Sequence, residues 1–203
     1  MIQAESPALV LASSSASRRA LLEAAGLRFT AVPAAVDEVA LKQAAQGEGL
    51  SPNDAAILLA DAKARYVARR MPEALVIGSD QLLVLSDRWF DKPTDMMEAA
   101  EHLRAFSGKP HQLVNGTVAW RFGQRVWQHV ESASLTVRPL SEEFIAAYLA
   151  AEGEALLATV GAYRVEGPGI HLFSAMAGQH STILGLSMLP LLGFLRQHGV
   201  LAG

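Results

Sequence analysis

The 203-residue chain contains no cysteine. That absence removes disulfides, thiolate catalysis and zinc–cysteine sites together. It also lacks any apolar run near the roughly 18 residues that a membrane-spanning helix requires. The stretch ahead of the first apolar run holds Glu5 and Pro7 and no basic residue. It does not read as a secretory signal, so a cytoplasmic location is expected. Positive charge is not in surplus either. A formal net charge of −3 argues against a nucleic-acid duplex as partner, yet it leaves room for a small polyanion in a local basic pocket. No internal repeat, linker or low-complexity tail interrupts the sequence. With a hydrophobic fraction of 51%, a single domain over residues 1–203 with a substantial core is expected.

What is present centres on residues 75–93. Leu75, Val76 and Ile77 read as a buried strand. Gly78 and Ser79 allow a turn and close packing, and Asp80 and Gln81 fall at the strand's end. A second apolar run, residues 82–85, follows at once. A carboxylate between two such runs is solvated by a cleft, paired with a cation, or bound to a metal. Lys92 lies a short hairpin away and can supply the opposite charge. The alternative is a turn-capping aspartate and a surface lysine.

Upstream, residues 8–12 form a short apolar strand that feeds Ser13-Ser14-Ser15-Ala16-Ser17, then Arg18 and a helix ended by Gly26. Strand, hydroxyl-rich loop and helix start turn free N–H groups toward one point, with an arginine fork beside them. This is a phosphate cradle without the glycines of a P-loop; the alternative is a serine-rich N-cap with surface arginines. Residues 28–32 read as a strand. Asp37 and Glu38 then stand side by side, one facing a cleft or both in a solvated loop. Ser51-Pro52-Asn53-Asp54 starts a helix running to about Arg70. On it Lys63 shares the apolar stripe of Leu59 and Val67, where a lysine either snorkels or reaches into a site.

Asp95 and Glu98 open a further helix with capping-box spacing. His111 begins a strand over residues 112–121, whose partner covers residues 125–137 across a turn at Phe122-Gly123-Gln124. His111 reads as structural, with ligand or base as the other possibility. Ser141 starts a helix. The glycines of residues 161–169 permit close approach of backbone to a ligand. Residues 170–173 resemble a strand, residues 178–182 a polar loop, and residues 189–198 a last helix. Strands alternating with helices point to an α/β sandwich, and the long hairpin to a mixed sheet.

Taken in order, several fragments resemble the Maf family over residues 9–199. They are Leu11-Ala12-Ser13-Ser14-Ser15-Ala16-Ser17-Arg18-Arg19, Val36-Asp37-Glu38, Lys63-Ala64, Gly78-Ser79-Asp80-Gln81, Lys92-Pro93, Ser107-Gly108 with His111, and Gly161-Ala162-Tyr163 with Glu166-Gly167. The resemblance implies a mixed, strongly twisted sheet flanked by helices with a cleft at its centre, as in Maf and inosine-triphosphatase folds. It implies a nucleoside triphosphate pyrophosphatase that cleaves between the α and β phosphates. Ser13, Ser15 and Arg18 would hold the triphosphate, and Lys63 and Lys92 would screen it. Glu38 and Asp80 would bind Mg²⁺ or Mn²⁺, or one of them would orient the water, and the family resemblance names Asp80 as the proton acceptor.

Gln81 and Glu166 stand where the dTTP/UTP branch has Thr and Gln, which makes the chain similar to the 7-methyl-GTP branch. Ser17 is a third selectivity position, where that branch often has a bulkier residue. The family's Gly-Lys-Pro is Asp91-Lys92-Pro93 here. Its asparagine near the C-terminus is Thr182, and its Gly-Leu-Pro is Gly185-Leu186-Ser187. The resemblance also suggests a homodimer. The other readings are a dTTP/UTP pyrophosphatase and a nucleotide-binding regulator of cell division with little catalysis.

Overall fold

A computed structural model describes residues 2–203. In chain order the elements are β1 (Leu9–Leu11), α1 (Ala16–Ala24), β2 (Thr30–Ala31), α2 (Glu38–Gly47), α3 (Pro52–Ala68), β3 (Leu75–Leu85) and β4 (Arg88–Phe90). There follow α4 (Met96–Phe106), β5 (Pro110–Arg121), β6 (Gln124–Val137), α5 (Glu142–Glu152), β7 (Phe173–Ala177), α6 (His180–Ile183) and α7 (Met188–Gln197). Short 3₁₀ helices occupy Gly153–Ala158 and Pro168–Leu172. The strands hydrogen-bond in the order β2-β1-β3-β5-β6-β7, with β4 attached to β3. β1 runs parallel to β2 and β3, whereas β4 is antiparallel to β3 and β7 to β6. The fold is therefore α/β with a mixed sheet. Among the described residues no helix is long and apolar enough to cross a membrane.

The chain divides into two compact units. The first comprises Met1–Gln81, Asn115–Glu131 and Gln179–Gly203; the second comprises Leu82–Val114 and Ser132–Gly178.

In the first unit, successive strand residues point to opposite faces. Leu9 and Leu11 join Leu75 and Ile77 against Leu22 of α1 and Leu191, Phe194 and Leu195 of α7. Val10, Ala12 and Val76 point the other way, onto Ala60, Ala64 and Val67 of α3. Helices cover both faces, which is why these strands read as unbroken apolar runs. Each fully buried leucine, such as Leu11, contributes about 1.5–3 kcal/mol. The helix α3 lies very close to the sheet. A Cβ on Gly78 would collide with the Ala60 carbonyl and the Ala64 side chain, and one on Gly116 with the Ala56 carbonyl. Small residues on both sides make that approach possible. Ser51 caps α3 by accepting from the Asp54 N–H, with Pro52 at its first position, as its sequence predicts.

One expectation about β3 is corrected. The strand does not end at Asp80; it continues unbroken through Gly78-Ser79-Asp80-Gln81 to Leu85. Gly78 serves the contact with α3 rather than a turn. The turn at Phe122-Gly123 does form, with φ of 50° and 76°, the paired positive values of a type I′ hairpin. The Phe122 N–H donates to the Pro72 carbonyl at 2.8 Å, which helps hold this unusual phenylalanine in place.

The second unit contains the pair α4 and α5. Asp95 caps α4 by accepting from the Glu98 N–H. The Glu98 carboxylate reaches past the cap to Thr94 N and Oγ1, both at 2.7 Å, so the capping box is displaced by one residue. Ser141 caps α5. The interior is aromatic. Phe106 packs against Phe90 and His111, and His111 against Tyr163 and Phe173. His111 Nε2 lies 2.8 Å from the Tyr163 hydroxyl. Burial pushes its pKa down to about 4, so at neutral pH it is an uncharged packing residue. Burial, with Tyr148 adding to it, pushes the Tyr163 hydroxyl up.

Two further expectations shift here. Residues 168–172 form a 3₁₀ turn, with Pro168 at its first position, and the strand starts at Phe173. The glycines of residues 161–169 meet the chain's own atoms. A Cβ on Gly161 would strike Leu83 and Tyr163, and one on Gly169 the backbone of Arg164. In the first unit, the polar loop expected over residues 178–182 instead leads into the short helix α6, which begins at His180.

Candidate active site

Strand alternation decides which side chains of β3 meet. Gly78 faces α3, so Asp80, two residues on, faces it too. There α3 presents Lys63, one residue before Ala64. Lys63 Nζ lies 2.9 Å from Asp80 Oδ2 and 2.9 Å from Glu38 Oε1. One ammonium thus bridges two carboxylates drawn from β3 and from the first turn of α2. Asp37 caps α2 through the Ala40 N–H, which leaves Glu38 as the acid that turns inward. The Asp80 and Lys63 side chains are 8% and 10% exposed, whereas that of Glu38 is 44% exposed. The cluster therefore opens to solvent at its Glu38 end.

Burial by itself raises the Asp80 carboxyl. Lys63, then Arg18, then the bonds from Lys63 and the Gln81 N–H outweigh it, so Asp80 is held below the usual carboxylate range. Burial draws the Arg18 guanidinium below its ordinary value, and Asp80 and Glu38 pull it back up. These charges hold Asp80 ionised although it is buried. Isolated, a buried carboxylate would take up a proton instead.

The serine loop builds the start of α1. Ser15 is its N-cap, with Oγ accepting from the Arg18 N–H at 3.4 Å. Ser13 Oγ accepts from the Ser15 N–H at 3.1 Å and lies 3.4 Å from Arg18 Nη1. Both hydroxyl oxygens accept from the chain itself, so each keeps its O–H to donate to an anion. Arg18 is not the surface residue of the alternative reading. It is buried, and its Nε donates to the Gly185 carbonyl at 2.7 Å. Ser17 is half-buried in the same helical turn.

Ser79 and Gln81 point away from α3. The Gln81 amide nitrogen donates to the carbonyls of Thr182 and Ile183 at 2.8 and 3.3 Å. Both partners are acceptors, which fixes the amide orientation and leaves Oε1 as the atom available to a ligand. Thr182 donates from Oγ1 to Glu131 Oε2 at 2.6 Å. Lys92 and Glu166 belong to the second unit, and both are exposed.

The structure adds residues that the sequence reading passed over. Ser79, Asn115, Thr117 and Ser187 are buried polar groups linked around the Gly185 carbonyl. A signal for them existed. Asn115-Gly116-Thr117 interrupts the apolar run of β5 as Gly78-Ser79-Asp80-Gln81 interrupts that of β3.

A carboxylate kept ionised by buried cations, beside a helix start with hydroxyl donors, can orient water near a bound polyanion. Comparisons with known proteins find relatives that match nearly the whole chain. The chain is 54% identical over 195 residues to a 7-methyl-GTP pyrophosphatase of Rhizobium meliloti, covering 96% of this chain and 98% of that one. It is 52% identical to a 7-methyl-GTP pyrophosphatase of Rhizobium etli, covering 97% and 99%. It is 51% identical over 193 residues to a protein named nucleoside triphosphate pyrophosphatase from Granulibacter bethesdensis, covering 95% and 98%. The model of the family described as Maf-like protein matches residues 8–198. With nearly the whole chain matched and about half its residues shared with these relatives, the chain belongs to the Maf-like protein family.

Proposed function

We propose that this chain hydrolyses the anhydride between the α and β phosphates of a nucleoside triphosphate, with 7-methyl-GTP as preferred substrate, to give 7-methyl-GMP and pyrophosphate. The observation that carries the reading is the Lys63 ammonium set between Glu38 and Asp80, with Arg18 close enough to act on both carboxylates. A module that only binds a triphosphate gains nothing from two acids there, because they repel it. A hydrolase needs them.

In this reading Ser13, Ser15 and Arg18 receive the phosphate oxygens at the start of α1, and Lys63 and Lys92 neutralise charge that develops on them. Asp80 orients the attacking water and accepts its proton. An aspartate held low in pKa is a weak base, so activation by a divalent cation is chemically complementary. The donor set fits a hard cation in its chemistry: the Glu38 and Asp80 carboxylates converge on one positive centre, the Lys63 ammonium, and they would supply oxygen ligands of the kind such a cation takes. Glu38 and Asp80 would hold Mg²⁺ or Mn²⁺, which when bound lowers the pKa of its water and screens the phosphates. Gln81 Oε1 is the acceptor we assign to the guanine edge, and the resemblance makes the Glu166 carboxylate a second acceptor for it and Ser17 a further selectivity position. The positive charge that N7-methylation places on the ring strengthens its attraction to Glu166. The names of the relatives at 52% and 54% identity support this substrate.

The test is product analysis with 7-methyl-GTP, dTTP, UTP and CTP, with Mg²⁺ or Mn²⁺ and with a chelator. Metal-dependent pyrophosphate release, fastest from 7-methyl-GTP, is expected. Preference for dTTP or UTP removes the roles of Gln81 and Glu166. Nucleotide binding without any product removes the hydrolase and leaves a regulator. Release of orthophosphate moves the cleaved bond.

A further inference from the structure

Asn115 is fully buried in the middle of β5, a position where asparagine is otherwise depleted. Its side chain is saturated. Nδ2 donates toward the Gly185 carbonyl at 2.8 Å, the Asp80 carbonyl at 3.0 Å and Ser79 Oγ at 3.1 Å. Oδ1 accepts from Thr117 Oγ1 at 3.0 Å, Ser187 Oγ at 3.0 Å and the Ser187 N–H at 3.2 Å. Two carbonyls on one side and a backbone N–H on the other fix which way the amide points.

Ser187 supplies a second, independent observation. It is the N-cap residue of α7, yet its side chain makes no cap hydrogen bond. A serine there ordinarily accepts from an N–H of its own helix. This one turns its hydroxyl to Asn115 instead.

Asn115 bears directly on one atom, the Gly185 oxygen, and Ser187 acts on it through Asn115. That carbonyl accepts from Asn115 Nδ2, from Ser79 Oγ at 3.1 Å and from Arg18 Nε at 2.7 Å. Gly185 has φ of +100°, and a Cβ there would lie 3.3 Å from Arg18 Nε. The position therefore calls for glycine in backbone conformation, and its oxygen is the anchor for the guanidinium.

We propose that Asn115 and Ser187 are positioning residues for phosphate binding: by clamping the Gly185 carbonyl they set the direction of the Arg18 guanidinium. The inference rests on the reading of Arg18 as a phosphate ligand. With Nε committed to Gly185, the remaining N–H groups of the fork are aimed as a rigid unit at an incoming anion. Without that clamp, the guanidinium is drawn toward Asp80 and Glu38, the charges that already attract it. It then neutralises protein carboxylates instead of substrate.

The experiment measures kcat, KM and the inhibition constant for product pyrophosphate in Ser187→Ala and Asn115→Asp, with thermal unfolding alongside. Ser187→Ala keeps the N–H donor and touches neither Arg18 nor Asp80, so it is the milder of the two perturbations. It is expected to raise KM and the pyrophosphate constant together by up to about tenfold, the value of the one neutral hydrogen bond it removes, with a smaller change in kcat. Asn115→Asp, which sets an oxygen against the Gly185 and Asp80 carbonyls, is expected to do so more strongly wherever it folds. A purely structural role would lower the active fraction and leave both constants at their wild-type values, which overturns the proposal.

Arg18→Lys, which lacks the Nε donor, separates this proposal from the reading beneath it. If Arg18→Lys leaves the pyrophosphate constant unchanged, the phosphate-ligand reading of Arg18 falls and takes the proposal with it. If Arg18→Lys raises it and Ser187→Ala does not, only the positioning role fails. In the Arg18→Lys background Ser187→Ala is expected to add nothing; an additive effect contradicts the route through Arg18.

Discussion

Replacing Lys63 by methionine keeps most of the side-chain volume and removes the ammonium that lies 2.9 Å from both Asp80 and Glu38. Because the Asp80 and Lys63 side chains are 8% and 10% exposed, water does not take the lost partner's place. Removing one member of a buried pair costs about 3–5 kcal/mol, since the other charge stays behind uncompensated. Burial then acts on Asp80 with only Arg18 and the Gln81 N–H to oppose it, so its pKa rises. The sign follows from linkage. In the wild type the folded pKa of Asp80 lies below its unfolded value, about 3.9. Its stabilising contribution is therefore complete above that value and is lost as pH falls through the folded pKa. The variant lacks most of this contribution. Urea unfolding of both proteins should show a stability gap of about 3–5 kcal/mol at pH 7 that narrows below pH 4 as the wild type loses its ion pair. A gap that stays constant from pH 7 to pH 3, or one under about 1 kcal/mol at pH 7, would refute the buried pairing, because an exposed pair is worth no more than that.

Other outcomes follow from the same structure. Asp80→Asn should keep the fold and lower turnover by about 10²–10⁴-fold, the usual contribution of a general base; comparable turnover in a folded, nucleotide-saturated variant removes Asp80 from that role. Glu166→Gln should lower the preference for 7-methyl-GTP over GTP in kcat/KM, and an unchanged ratio ends its assignment as a selectivity residue. His111, pushed down to about 4 by burial, has its stabilising contribution in full above pH 6.5 and loses it as pH falls toward 4. That loss amounts to about 3 kcal/mol, so acid unfolding of His111→Phe should show a correspondingly smaller drop across this interval. Gly78→Ala should destabilise by at least about 1–3 kcal/mol, because the new methyl meets the backbone of α3 rather than a side chain that can move; wild-type stability in urea would disprove the close approach.

Much of the framework was legible in the chain. The alternation of apolar runs and capped helices announced an α/β fold, Ser51-Pro52 marked the start of α3, and the long hairpin announced a mixed sheet. The polar break in the apolar run of residues 75–85 marked Asp80. These features rest on local chemistry: capping, turn geometry and the period of hydrophobic residues act over a few positions and leave a local trace.

Other features left no local trace. Whether Lys63 snorkels or reaches inward depends on how near α3 lies to the sheet, and Gly78 and Gly116 set that distance from far along the chain. Which of Asp37 and Glu38 turns inward was decided by the cap of α2. Whether Arg18 joins the serine loop or lies on the surface is decided only when the Gly185 carbonyl, distant in sequence, is brought against it. Gln81 keeps only one amide atom for a ligand because α6 takes the other. The sequence determined which elements form and which polar residues interrupt them. The tertiary structure decided the partner of each charge, because ion pairs and buried hydrogen bonds depend on distances of a few ångströms between segments that chain order does not relate.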